Sequence, residues 1–138
     1  MFLINFNVKS YAANTVMTLN IDGEIIEYNQ PNVAMKVDGV NAKQGDMPPI
    51  IIENRTLIPV RELFESMGAN VEWLNETREV HVSLDNTKIE LKIGSSNIKI
   101  IKDGTTTNKT IDVPAKIINS KTMIPLRAVG EGLGCNVE

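Results

Sequence analysis

Two arginines, Arg61 and Arg127, occupy matching places in two near-identical phrases of this 138-residue chain. Each follows a proline and an aliphatic residue, and each has a glutamate four positions on, Glu65 and Glu131. A guanidinium grips a carboxylate or phosphate through two parallel hydrogen bonds. A repeated arginine is therefore what a clamp for a small anionic ligand would use. The structural reading competes with it: the alkyl stem lies over apolar surface while the head pairs with carboxylates of the fold. Arginine placed before glutamate is the weaker order for a pair on one helix, which points to a partner elsewhere in the chain.

Trp73, the single tryptophan, ends a strand-like run. It reads as rim packing or as a platform for a sugar ring, with Tyr28 as the other aromatic able to serve. His81 stands between Val80 and Val82 in an alternating stretch. It is expected to face solvent, without the partners a metal ligand needs, so no metal site is expected. Cys135, the lone cysteine, excludes an internal disulfide and a thiolate-rich metal site. It aligns with Ala69 and reads as a small buried side chain. Asp22, Asp38 and Asp103 belong to separate turns and cannot act as an acid–base couple. The Gly130-x-Gly132-x-Gly134 run lies within and at the end of a helix pattern, not between a strand and a helix start as a phosphate loop requires. Neither catalysis nor a cofactor is expected. The triplets beginning at Asn54, Asn75 and Asn108 match a glycosylation acceptor but read as turn chemistry.

The elements that must hold these side chains follow from repetition. Residues 48–72 align with 114–138 through Pro48, Ile51, Ile52, Thr56, Ile58, Pro59, Arg61, Glu65, Gly68, Asn70, Val71 and Glu72, all identical to their counterparts. Each copy reads as strand, turn, strand, helix, strand. Asp-Gly at 22–23, 38–39 and 103–104 marks hairpins, because both loop positions tolerate positive φ. Pro59 sits where a helix begins. Val60, Leu63, Phe64 and Met67 form one helical stripe, and Gly68 ends it. In the second copy Gly130 and Gly132 replace Phe64 and Ser66, so that helix is expected to be the weaker. Ala69–Trp73 reads as a strand and Asn75–Arg78 as a turn. Val80, Val82 and Leu84, then Ile89, Leu91 and Ile93, alternate inward on two more strands. Such alternation means antiparallel strands with one dry and one wet face.

The fold expected is α+β: an antiparallel sheet wrapped round a helix, in two related halves, the second incomplete at its C-terminus. By region, 13–32 reads as an N-terminal β-hairpin, 33–97 as the first repeat and 98–138 as a truncated second repeat. The first dozen residues run from an apolar stretch to Ser10-Tyr11-Ala12. They read as the remnant of a secretory signal, with a first edge strand as the alternative. The second copy stops where its next strands are due, so the chain is expected to be a fragment or to be completed by a neighbour. An exposed edge of that kind favours pairing between chains.

Composition narrows the function. The chain is 42% hydrophobic and 22% charged with a net charge of −3. No basic stripe is available to displace counterions from nucleic acid. No segment approaches the roughly 20 apolar residues needed to span a bilayer.

The phrase R-T-L-I-P-V-R-E-L-F-E-S-M-G-A-N-V-E-W, followed by N-E-T-R-E-V-H-V, resembles the copper amine oxidase N-terminal-like domain. The second phrase, K-T-M-I-P-L-R-A-V-G-E-G-L-G-C-N-V-E, fits the same pattern, and the resemblance covers roughly residues 33–138. It implies a stalk-type module of bacterial secreted proteins, often in tandem, that carries neither the copper nor the quinone. The expectation is a non-catalytic, secreted or cell-wall-associated unit that attaches to a cell-wall component or another surface protein. The alternatives are a small anionic-ligand binder using Arg61 and Arg127, and an accessory domain of a larger extracellular enzyme.

Overall fold

All three Asp-Gly pairs close hairpins, with φ of 52° and 86° at Asp22-Gly23, 51° and 79° at Asp38-Gly39, and 50° and 82° at Asp103-Gly104. Paired positive φ values give a turn whose twist matches that of the flanking strands. Glu53-Asn54 and Asn119-Ser120, equivalent positions of the repeated phrase, make the same kind of turn without glycine, at 51° and 63° and at 51° and 65°.

The computed structural model describes residues 5–42, 45–128 and 136–137. In chain order the elements are β1 (Asn5–Ile21), β2 (Glu24–Val37), β3 (Val40–Asn41), β4 (Ile50–Ile52), β5 (Arg55–Pro59), α1 (Val60–Ser66) and β6 (Asn70–Leu74). Then follow β7 (Glu79–Leu84), β8 (Thr87–Lys92), β9 (Asn97–Lys102), β10 (Thr105–Thr110), β11 (Lys116–Ile118), β12 (Lys121–Pro125) and β13 (Asn136–Val137). The class is α+β. Among the described residues, two sheets, and not a single one, share a core with the short helix α1. The first sheet runs β3-β2-β1-β11-β12-β5-β4 with β13 beside β1, and the second is a meander, β10-β9-β8-β7-β6. Pairing is antiparallel except between β13 and β1, which are parallel. Among the described residues no helix is long and apolar enough to cross a membrane.

Residues 5–12, the described part of the segment read as a leader remnant, are the first half of β1 and pair with β2 through Phe6↔Val37 to Ser10↔Val33. Register breaks between Ser10 and Asn14 and resumes from Asn14↔Pro31 to Ile21↔Glu24.

The expected helical stripe forms: Val60, Leu63 and Phe64 are buried on α1 and Met67 is partly so. Pro59 is the last residue of β5 and the N-cap, at φ −68° and ψ 122°. Gly68 turns the chain at φ 85°. Its N–H donates to the Glu65 carbonyl and that of Ala69 to Phe64, both at 3.0 Å, the paired bonds of a Schellman ending.

The meander behaves as its alternation requires. Val80, Val82, Ile89, Leu91 and Ile98 turn inward against Leu63 and Phe64 and against Ile58 and Ile124 of the first sheet. The one-wet-face rule fails for β5 and β12. Leu57 and Met123 point the other way, into a second core with Leu19, Tyr28, Met47, Ile50 and Ile118. That core exists because the first sheet curls until β2 and β4 meet across it, where the Ile51 N–H donates to the Tyr28 hydroxyl at 2.7 Å. Asn108 also departs from expectation. It lies within β10, opposite Lys99, and accepts from the Asn97 amide at 3.2 Å, whereas Asn54 and Asn75 do lie in turns. Beyond Ala128 the second helix, with Cys135, falls outside the described residues.

Candidate functional site

Where α1 leaves β5, a cleft of about 460 Å³ opens between the helix, β6 and the β11–β12 turn. Arg61 and Glu62 come from the helix, Val71 and Trp73 from β6, Ser120 from the turn, and Lys121 and Thr122 from the start of β12. The Gly68 reversal sends β6 back alongside α1. Arg61 Nη1 thereby reaches the Val71 carbonyl, donating at 3.2 Å, while the Glu65 carboxylate is 3.8 Å away. Trp73 stands on the rim, 37% exposed. Glu62 is the one buried charged residue among those described, and its Oε2 has no hydrogen-bond partner there.

Of the four residues expected to bind, the structure brings two together, Arg61 and Trp73. Arg127 lies apart. Its Nη1 is 4.0 Å from Asp112 Oδ2, and the same oxygen accepts from Arg55 Nη1. The hydrogen bond from Arg55 is the main reason the Asp112 carboxyl is held below the ordinary aspartate value; desolvation opposes it, and the charges of Arg55 and Arg127 add to it. Tyr28 is corrected from exposed platform to core residue, 5% exposed. Its hydroxyl is taken by Ile51, and burial raises its pKa against that bond.

Two cations, one from each copy, therefore flank the Asp112 carboxylate, and each has a counterpart in the other copy. Arg127 corresponds to Arg61 and Arg55 to Lys121. Arg61 and Lys121 line the cleft, whereas Asp46, which corresponds to Asp112, does not. Among the described residues Lys121 has no ion pair. Sequence reasoning passed over Lys121 and Asp112. The available signal was the match of Lys121 to Arg55, a basic residue retained at one place in both phrases.

His81 keeps the outward orientation expected beside Val80 and Val82, but it is not alone. Register across β7 and β8 sets it opposite Glu90, with Glu79 two residues before it on the same face. The ring is only 17% exposed.

A family model described as the copper amine oxidase N-terminal domain matches residues 36–138. No curated protein and no solved structure matches the chain.

Proposed function

The chain belongs to the copper amine oxidase N-terminal domain family, a non-catalytic accessory domain, and from that premise we propose a surface attachment module. It is a secreted or cell-wall-associated unit that holds a carboxylate-bearing wall component, or a partner protein presenting one, in the cleft of Arg61, Trp73 and Lys121. One observation carries the reading. Asp112 lies against Arg55 and Arg127, and the equivalent pair, Lys121 and Arg61, lines a cleft without that carboxylate. An incoming carboxylate would take the role Asp112 plays at the second copy. The Trp73 ring offers a stacking surface for a sugar or peptide plane.

The test is co-sedimentation of the purified chain with insoluble cell-wall sacculi at moderate and high salt. Retention that survives salt and falls in Arg61→Ala/Lys121→Ala and in Trp73→Ala supports the reading. No retention at any salt, or equal retention by all variants, rejects it.

A second reading rests on β1. Among the described residues its outer edge pairs with other strands only at Asn5, Phe6 and Ile21, and Asn119 bonds it at Thr18 and Asn20. An unpaired strand edge accepts another strand. Association of two copies, or of a surface protein, along β1 would appear as a concentration-dependent mass in light scattering.

A further inference from the structure

We propose that Glu79, His81 and Glu90 bind one divalent transition-metal cation of the zinc type on the outer face of the five-stranded sheet. A ligand atom from each lies within 4.8 Å of the others. His81 Nε2 is 3.9 Å from Glu79 Oε1 and 3.8 Å from Glu90 Oε1. Those separations are beyond hydrogen bonding, and Nε2 is buried with no hydrogen-bond partner. A buried ring nitrogen left unpaired between two carboxylates is a costly arrangement, and a bound cation relieves it by accepting all three groups.

The distances suit a small ion. Zinc holds imidazole nitrogen and carboxylate oxygen at about 2.0–2.2 Å, which sets tetrahedral donors about 3.4 Å apart. The two histidine–carboxylate separations need close by only about half an ångström, and the two carboxylates, within 4.8 Å of each other, by at most about 1.4 Å. Strand pairing does most of the positioning, since His81 and Glu90 are cross-strand partners. Lys88 lies 3.6 Å from Glu90 Oε2, so it engages the oxygen that the metal does not need. Glu72 is the cross-strand neighbour of His81 on the other side. Lys92 opposes Glu79 and Lys99 opposes Glu90. Mixed nitrogen and oxygen donors favour zinc-type ions over calcium or magnesium, which prefer oxygen alone. Three protein donors leave a position for water or a partner's ligand, as in an open site.

His81 is the only histidine, so imidazole nitrogen signals of the ¹⁵N-labelled, tag-free chain report this ring alone. Zinc titration should move the Nε2 signal, with saturation at one ion per chain in calorimetry. Glu79→Gln and Glu90→Gln should each weaken binding by about tenfold or more, since even second-shell changes cost roughly that much. His81→Ala should abolish it. An Nε2 signal that zinc leaves in place overturns the site and leaves a simple histidine–carboxylate pair. Zinc binding unchanged in His81→Ala overturns it too, and calcium binding as tight as zinc overturns the metal class.

Discussion

Ile58 on β5 stands directly opposite Ile124 on β12, with Leu57 facing Pro125 and Pro59 facing Met123 on either side. Each isoleucine is the other's counterpart in the repeated phrase, so the two copies of that phrase meet antiparallel through the same strand. Both side chains are fully buried between the helix and the meander.

Truncating either one should open a cavity where the two sheets join. Ile58→Ala and Ile124→Ala should each lower unfolding free energy in urea by roughly 2–5 kcal/mol. Because the residues are neighbours, the double variant should depart from the sum of the two. Strict additivity would mean the pairing is not the structural centre described.

Tyr28→Phe removes the acceptor for the Ile51 N–H and should cost about 1–3 kcal/mol in the same assay. The tyrosine pKa is raised in the folded chain. Its contribution to stability is therefore complete below the unfolded value of about 10 and is lost as pH rises through the folded one. A wild-type phenolate absorbance titrating like free tyrosine would contradict this.

Asp112→Asn should reduce thermal stability at neutral pH. A depressed carboxyl pKa contributes stability present above the unfolded value and lost as pH falls through the folded one. The melting temperatures of wild type and variant should therefore converge in acid. The gap should also shrink in high salt, since the groups are solvent-accessible.

Asn119 holds a left-handed turn position at φ 51°. Its side chain accepts from the Asn20 N–H at 2.7 Å and donates to the Thr18 carbonyl at 3.1 Å. Asn119→Ala should destabilise the chain by roughly 1–3 kcal/mol. Asn119→Gly should lose less, keeping the turn but not the brace to β1. Equal loss in both would mean that backbone strain plays no part.

Arg127→Ala should leave sacculus retention nearly intact, while Arg61→Ala weakens it, because only Arg61 lines the cleft. Equal losses would return the two arginines to a common role.

Local chemistry was legible in the residues. Asp-Gly pairs wrote the hairpins, Gly68 wrote the helix end, and alternation of Val80, Val82, Ile89 and Leu91 wrote the meander's dry face. Those features follow from φ preferences and side-chain period, which each segment carries by itself. What stayed hidden depends on which segments meet. Tyr28 looked like an available ring because nothing near it in sequence announces the curl that brings Ile51 to its hydroxyl. His81 looked solitary because Glu90 joins it only through the β7–β8 register. Two of the three residues proposed to bind in the cleft, Arg61 and Trp73, were recoverable. Lys121 was not, since its importance shows only when its counterpart Arg55 is seen holding Asp112.

The face-to-face placement of Ile58 and Ile124 sets a limit on growth. A strand that pairs antiparallel with its own counterpart is self-complementary, and such a contact closes on itself instead of propagating. A third copy of the phrase would find both strand edges taken. Chains built from this phrase should therefore count in twos, and a variant with one added copy should carry an unmated strand that seeks its match on another molecule.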